Sequence, residues 1–267
     1  MLDIEMVLSL LLLGSFVGVV AGLLGVGGGG IMVPVLTTLF VSQGVPTEQV
    51  VHLALGTSMA AIIFTSFSSM KSHHARGSVA WDIVKGITAG VIIGTFFATF
   101  IASQINSLYL ALFFSCFMAF VSVQMFISKK PQANKQISGK KEVFFVGSGI
   151  GAVSALVSIG GGSLTVPYLV SRNIDIKKAV GTSAAIGLPI SIAGSVGYLV
   201  NGWSSSSVDN YTLGFIYLPA VFLIAVSSYL TAPYGAKLAH RLPVQTLKKI
   251  FSLLLITLSI KMLSTII

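Results

Sequence analysis

Long apolar segments recur along the whole chain and are separated by short polar stretches. Most of them reach the roughly 20 residues that an α-helix needs to cross the hydrocarbon core of a bilayer. The apolar runs are Met6–Leu24, Val50–Met70, Ile83–Ile101, Leu108–Ile127, Val180–Val200, Leu213–Ala232 and Ile250–Ile267. This pattern predicts an all-α, polytopic membrane protein.

Two apolar stretches carry nearly the same sequence, 133 residues apart. Residues 26–36 read Val-Gly-Gly-Gly-Gly-Ile-Met-Val-Pro-Val-Leu, and residues 159–169 read Ile-Gly-Gly-Gly-Ser-Leu-Thr-Val-Pro-Tyr-Leu, with six of the 11 positions identical. Glycine runs and proline interrupt helices, and interrupted backbone at membrane depth must line a cavity or be buried in protein. Matching interruptions in two halves of a membrane protein indicate the substrate site of a transporter.

The internal similarity extends beyond the glycine runs. Residues 54–61 and 179–186 share five of eight positions, including a Gly-Thr-Ser triplet in each. Each half is therefore predicted to contain a glycine-broken helical hairpin followed by three spans, which makes about eight segments in all. The predicted boundaries are 1–128 for the N-terminal repeat, 129–142 for a cytoplasmic linker and 143–267 for the C-terminal repeat.

Composition and charge agree with a membrane protein. Only 9% of the residues are charged, whereas soluble domains carry roughly 25%, and the mean hydropathy is +0.95. The net charge of +9 does not indicate nucleic-acid binding, because nearly all 16 Lys and Arg residues lie in or beside short loops between the apolar runs. Basic loops of this kind set the orientation of a membrane protein.

Four basic clusters predict the orientation of the two halves. Placing all four in the cytoplasm accounts for 15 of the 16 basic residues and puts both termini outside. The half that follows the linker then enters the membrane from the opposite face to the first, which predicts an inverted-topology repeat. The clusters are Lys71, Arg76 and Lys85; Lys129, Lys130, Lys135, Lys140 and Lys141; Arg172, Lys177 and Lys178; and Lys237, Arg241, Lys248 and Lys249.

The glycine runs predict an anion site. A helix start presents unpaired N–H groups and about half a positive charge, and two such starts meeting near the bilayer midplane would suit an anion. Helix restarts are expected near Pro34 and Pro167, because proline is tolerated in a first turn. The predicted substrate-binding glycines and their neighbour are Gly27, Gly28, Gly29, Gly30, Gly160, Gly161, Gly162 and Ser163. Ser163 stands where the first half has Gly30, so the two half-sites are expected to differ.

Hydroxyl groups on the following helices are further candidates. Thr57, Ser58, Thr182 and Ser183 belong to the Gly-Thr-Ser triplets. A hydroxyl in a membrane helix often bonds its own i−4 carbonyl, but recurrence in both halves favours substrate contact. His52 is a candidate proton-coupling group, although a hydrogen-bonded structural histidine is the favoured interpretation.

Other residues are interpreted as structural. The pairs Gly14/Gly18 and Gly147/Gly151 are predicted to permit close helix packing, and Cys116 is expected to be a small core residue. His73 and His74 are expected to be solvated in a cytoplasmic loop. The sequence contains no phosphate-binding loop motif and no convincing metal site, so we predict neither an enzyme, a cofactor nor a bound metal.

At these residues the chain resembles the TauE/SafE, or sulfite exporter, family. The resemblance covers nearly the whole chain and rests on Gly25–Gly29 with Val33-Pro34, on Ile159–Gly162 with Val166-Pro167, and on the two Gly-Thr-Ser triplets. It implies a multi-pass permease of the bacterial inner membrane for a small anion such as sulfite, a sulfonate or a related organosulfur compound. Family members include importers and exporters.

Two other functions fit the same features. An anion channel would use the same donors along an open pore, and a non-transporting membrane scaffold would need no polar backbone at depth. The partners expected in each case are the lipid bilayer and, for transport, a small anion. The exact substrate, the direction, the coupling ion and the oligomeric state stay open.

Overall fold

Ten helices and one small hairpin make up the described part of the protein. The computed structural model describes residues 3–127, 139–203, 211–239, 241 and 244–266. The helices are α1 (Ile4–Leu24), α2 (Gly29–Ser42), α3 (Thr47–His74), α4 (Trp81–Gln104), α5 (Ser107–Ile127), α6 (Lys140–Val157), α7 (Gly162–Ser171), α8 (Ile176–Asn201), α9 (Leu218–Ala239) and α10 (Val244–Ile266), with strands β1 (Thr212–Leu213) and β2 (Ile216–Tyr217) between α8 and α9.

Six of these helices are long and apolar enough to cross a membrane: α1, α3, α4, α5, α8 and α9. In the most apolar 18-residue window of α3 and α8, 83% and 67% of the residues are buried, compared with 39–44% in the other four. Helices α3 and α8 therefore form the centre of the bundle, and the other four present large apolar side chains outward, as lipid-facing helices do. The prediction of a polytopic helical membrane protein is confirmed.

The helices pair across the two halves. The first helix of each half packs against the fourth helix of the other half, so that α1 contacts α9 and α6 contacts α4. The third helices, α3 and α8, pack against each other, as do the fifth helices, α5 and α10. Neither set of five helices thus forms a core by itself, and most helix packing lies between the halves.

Small residues permit the close approach of the α1–α9 and α4–α6 pairs. A Cβ on Gly18 would lie 2.5 Å from the Ser228 carbonyl oxygen of α9, and a Cβ on Gly151 would lie 2.9 Å from the Val91 Cα of α4. Gly14 and Gly147 meet the same two helices one turn earlier. The predicted packing role of these glycines is confirmed, and it follows from the van der Waals contact that small residues allow between membrane helices.

Several sequence-based boundaries are corrected. Residues 212–217 form an antiparallel hairpin with Thr212 opposite Tyr217, so the span predicted from Leu213 begins at Leu218 instead. The turn at Gly214, with φ 56°, reverses the chain there. Helix α6 begins at Lys140, inside the predicted linker 129–142, and residues 129–138 of that linker lie outside the described residues.

Cys116 does not lie in the core. It is exposed on α5, on the side of the helix that carries exposed apolar residues such as Leu112, Phe113 and Phe120. The prediction failed because a small apolar residue is tolerated equally on a lipid-facing surface and in a packed interior.

Candidate functional site

Each glycine run separates two helices by a short left-handed turn. Gly25, with φ 68°, caps the C-terminus of α1, and its counterpart Ser158, with φ 47°, caps the C-terminus of α6. The next helices begin directly after Gly28 and Gly161, whose φ angles are 87° and 77°. Glycine adopts this conformation at little cost, so the repeated glycines let the chain turn and restart a helix within four residues.

The two turns lie in direct contact. A Cβ on Gly27 would lie 2.8 Å from the Gly160 Cα, and a Cβ on Gly160 would lie 3.0 Å from the Gly27 Cα. Gly29 packs against the Ser158 carbonyl, and Gly162 packs against the Gly25 carbonyl. The two contacts are equivalent by the 133-residue offset, because Gly25 corresponds to Ser158 and Gly29 corresponds to Gly162. The glycine runs thus cross each other symmetrically in backbone-to-backbone contact, and we call this region the glycine crossing.

Four amide groups at the glycine crossing have no hydrogen-bond acceptor among the described residues. They belong to Gly29 and Gly30 at the start of α2 and to Gly162 and Ser163 at the start of α7. The next amides in each helix are bonded, since Ile31 donates to the Gly28 carbonyl and Leu164 to the Gly161 carbonyl, at 3.0 and 3.2 Å. All four residues are buried. A helix start of this kind is a site of positive potential that can bind an anion.

The prolines do not stand at the helix restarts, which corrects that prediction. Both helices begin five residues earlier, and Pro34 and Pro167 lie inside them. The left-handed glycines already turn the chain, so the helix needs no proline to restart. Each proline instead removes the N–H that would bond the carbonyl one turn earlier, that of Gly30 or Ser163.

The Gly-Thr-Ser triplets contact the loop residues that directly precede α9 and α4. Thr57 on α3 accepts a hydrogen bond of 3.0 Å from the amide of Tyr217, directly before α9. Thr182 on α8 accepts a bond of the same length from the amide of Ala80, directly before α4. The glycine of each triplet lets the same loop approach, because Gly56 and Gly181 lie against the Phe215 and Ser78 carbonyls. The two hydroxyls are thus already engaged as acceptors, and each retains a proton that it can donate.

The two serines of the triplets differ. Ser58 donates to the Ala54 carbonyl of its own helix at 2.7 Å, the local bond common for serine in membrane helices. Ser183 donates to the Gly25 carbonyl at 2.9 Å and so ties α8 to the glycine crossing. The structure therefore brings Ser183 to the predicted site glycines and gives Ser58 a partner within its own helix.

His52 is buried with partners at both ring nitrogens. Its Nδ1 lies 3.2 Å from the Ser107 hydroxyl, and its Nε2 lies 3.1 Å from the Ala102 carbonyl oxygen. The ring packs on Phe215, with centroids 5.1 Å apart. His52 thus joins α3 to the α4–α5 connection and to the β-hairpin, which supports the structural interpretation.

His73 corrects the expectation of a solvated loop pair. It lies in the last turn of α3, 1% exposed, with its Nε2 2.9 Å from the Gly22 carbonyl oxygen of α1. Helix α3 continues farther than its apolar run, to His74, which is why the sequence placed His73 in a loop. His74 is exposed, and its Nδ1 accepts a hydrogen bond from the Trp81 indole.

Sequence analysis missed several residues of the glycine crossing. Thr165 is fully buried on α7, and its hydroxyl has no hydrogen-bond partner in the described protein. Ile62 on α3 and Gly187 on α8 both contact the crossing glycines. Thr165 was detectable as a polar residue within the apolar repeat, but Ile62 and Gly187 become neighbours of the site only through the packing of α3 and α8.

Comparison with known proteins identifies similar sequences along nearly the whole chain. Residues 10–262 match the family model described as Sulfite exporter TauE/SafE. A "Probable membrane transporter protein" of Haemophilus influenzae is 36% identical over 257 residues, covering 96% of this chain and 97% of that protein. The "Probable membrane transporter protein YdhB" of Bacillus subtilis is 27% identical over 238 residues, covering 86% and 89%. No solved structure gives a significant match.

Proposed function

The chain belongs to the sulfite exporter TauE/SafE family, and on that premise we propose that it is a secondary transporter that moves a small anion across the bacterial inner membrane. Sulfite, a sulfonate or a related organosulfur compound is the substrate class that the family suggests. Membrane embedding and transport agree with the six apolar helices and with the transporter names of the relatives.

One observation carries the choice of an anion. At the glycine crossing, the buried amides of Gly29, Gly30, Gly162 and Ser163 have no acceptor among the described residues. A buried N–H that lacks a partner costs free energy comparable to a lost hydrogen bond. A ligand that accepts hydrogen bonds removes this cost, and the positive ends of two helices favour one that is negatively charged.

The proposal includes an inverted arrangement of the two halves, 1–128 and 143–267. The contacts at the glycine crossing and the helix pairs α1–α9 and α4–α6 exchange when the halves are exchanged. A two-fold axis in the membrane plane relates halves of this kind in many secondary transporters and places the substrate between them. Alternating exposure of the site would then follow from movement of one half against the other.

Labelling of single cysteines tests this orientation. In a Cys116→Ser background, Ala75→Cys after α3 and Lys177→Cys after α7 are expected to react with an impermeant thiol reagent only from the cytoplasmic side. Gln43→Cys, between α2 and α3, is expected to react only from outside; all three positions are exposed. Reaction of Ala75→Cys and Lys177→Cys from opposite sides would exclude the inverted arrangement.

The structural setting of His52 bears on coupling. Ser107 donates its only hydroxyl proton to the Glu48 carbonyl at 2.5 Å, so the Nδ1 contact with Ser107 is a hydrogen bond only when Nδ1 carries a proton. Nε2 also faces an acceptor, the Ala102 carbonyl oxygen. Acceptors at both nitrogens suit the doubly protonated ring, so the measurement with and without a pH gradient decides whether His52 couples transport to protons. We propose that its main role is to brace the α3–α5 contact.

Flux measurements with the purified protein in vesicles test the proposed transport. Sulfite uptake is expected to saturate with concentration and to show counterflow when the vesicles are preloaded with sulfite. Methanesulfonate and sulfate serve as competitors, and parallel vesicles with and without a pH gradient test coupling. Uptake that rises linearly with concentration and lacks counterflow would indicate a channel, and no uptake of any of these anions would favour a scaffold.

A further inference from the structure

The two helix starts at the glycine crossing differ at three matching positions. Residues 30 and 163 are Gly and Ser, residues 32 and 165 are Met and Thr, and residues 62 and 187 are Ile and Gly. The first two pairs follow the 133-residue offset of the glycine runs, and the third follows the 125-residue offset of the Gly-Thr-Ser triplets. At every pair the second half carries the more polar or the smaller residue.

Apolar side chains cover the start of α2. The Ile62 Cδ1 would lie 3.1 Å from a Cβ on Gly29 at the start of α2, whereas its Cγ2 would lie 3.4 Å from a Cβ on Gly27 and the same distance from one on Gly160. The Met118 Cε and the Leu255 Cδ2 would lie 3.1 and 3.2 Å from a Cβ on Gly30. The amides of this helix start therefore lie in apolar surroundings. These side chains offer no hydrogen-bond donor to a ligand oxygen.

The start of α7 also has apolar neighbours, since the Ile190 Cδ1 and the Ile150 Cγ2 would lie 2.7 and 3.7 Å from a Cβ on Gly161. It differs from the start of α2 by two buried hydroxyl groups. The hydroxyls of Ser163 and Thr165 are buried, with 7% and 0% of each residue exposed, and neither has a hydrogen-bond partner among the described residues. The Thr165 Oγ1 would lie 3.3 Å from a Cβ on Gly161, so this hydroxyl is directed back toward the helix start. The amides of Gly162 and Ser163 lie in the same turn and are also unpaired.

Gly187, which matches Ile62, lets α8 approach the glycine crossing closely. A Cβ on Gly187 would lie 2.8 Å from the Gly160 carbonyl oxygen and 2.9 Å from the Ser66 hydroxyl oxygen. The position therefore has no room for a side chain, and a buried hydroxyl from α3 lies beside it. Ser66 is 2% exposed.

We propose that the transported anion binds at the start of α7 alone, held by the amides of Gly162 and Ser163 and by the hydroxyls of Ser163 and Thr165. The start of α2 is its apolar counterpart and serves packing. This inference rests on the proposed function and narrows its site to one half. Amide and hydroxyl donors grouped on one helix turn suit a compact oxyanion with several acceptor oxygens.

Two substitutions and a matched control test this assignment. Ser163→Ala and Thr165→Val each remove one hydroxyl at nearly constant volume. Thr37→Val removes a hydroxyl from α2 that is also buried and unpaired in the described protein but lies about two turns beyond that helix's start. The KM for sulfite is expected to rise about tenfold in each of the first two variants, as loss of one hydrogen bond to a charged ligand predicts, and to stay within about twofold in Thr37→Val.

Thermal unfolding in detergent separates binding from folding. Without ligand, Ser163→Ala and Thr165→Val are expected to unfold at the wild-type temperature or slightly above it, because each removes a hydroxyl that has no partner. Added sulfite is expected to stabilise the wild type and Thr37→Val more than the two site variants.

Two outcomes would overturn the assignment in different ways. A wild type that transports sulfite, together with unchanged KM values in Ser163→Ala and Thr165→Val, would place the anion elsewhere and leave the proposed function intact. A wild type that neither transports sulfite, sulfate or methanesulfonate nor is stabilised by them would remove the proposed function, and this inference with it.

Discussion

Replacement of Gly29 by alanine is expected to abolish sulfite transport. A Cβ at this position would lie 2.6 Å from the Ser158 carbonyl carbon and closer still to its oxygen. No side chain can move to relieve this overlap, because both partners are backbone atoms. The two glycine runs must separate, which costs about 3 kcal/mol or more by comparison with overpacked cores, and the two helix starts would lose their relative position. The measurement is sulfite uptake by reconstituted vesicles, with protein amount per vesicle determined in parallel.

A glycine in another helix provides the control. A Cβ on Gly86 of α4 would meet only the Val143 Cγ1, at an ordinary contact distance of 3.5 Å. Gly86→Ala should therefore reconstitute and transport like the wild type, although both substitutions add one methyl group. If Gly29→Ala also transported at the wild-type rate, the close crossing of the glycine runs would be wrong.

Replacement of Gly18 or Gly151 by alanine is expected to destabilise the protein strongly. A Cβ on Gly18 would lie 2.7 Å from the Ser228 Cα, and one on Gly151 would lie 2.9 Å from the Val91 Cα. Each change forces apart a pair of helices, α1 and α9 or α4 and α6, that joins the two halves. We expect a loss of roughly 1–3 kcal/mol for each variant, measured as the free energy of unfolding in mixed micelles.

The comparison within α6 makes this test specific. Gly149 lies on the same helix two residues before Gly151, and a Cβ on it would meet nothing within 4 Å. Gly149→Ala should therefore be neutral or slightly stabilising, because alanine favours helix over glycine. Equal losses of stability at positions 149 and 151 would show that helix propensity, not packing between α4 and α6, governs both.

The sequence identified the glycine runs, but it did not reveal the contacts that each neighbouring residue makes. The glycine runs were recognisable because the same pattern occurs twice in the sequence, and the structure brings Gly27 and Gly160 into contact. The prolines were misplaced because proline marks a helix's early turns without specifying which turn. Substrate contact by Thr57 and Thr182 stays a prediction. The structure adds that each hydroxyl accepts a hydrogen bond from a loop amide of the other half, a contact that no spacing within one half reveals.

The burial of individual side chains was also predicted poorly from the sequence. His73 lies beyond the apolar run of α3 yet is buried against the Gly22 carbonyl of α1. Cys116 lies within an apolar run yet is exposed on α5. Hydropathy reports whether a segment suits a bilayer, but lipid and protein interior are both apolar, so it does not tell a packed face from a lipid-facing one.

By itself, the sequence determined that this chain is a helical membrane protein, that its two halves are related, and where each half interrupts a helix. These properties depend on length, hydropathy and glycine content, which act locally and can be counted along the chain. Only the tertiary structure decided that the interruptions cross each other and that the Ser163 and Thr165 hydroxyls lie buried without a partner among the described residues. The crossing depends on contacts between glycine runs more than 120 positions apart, and such contacts exist only after the helices have packed.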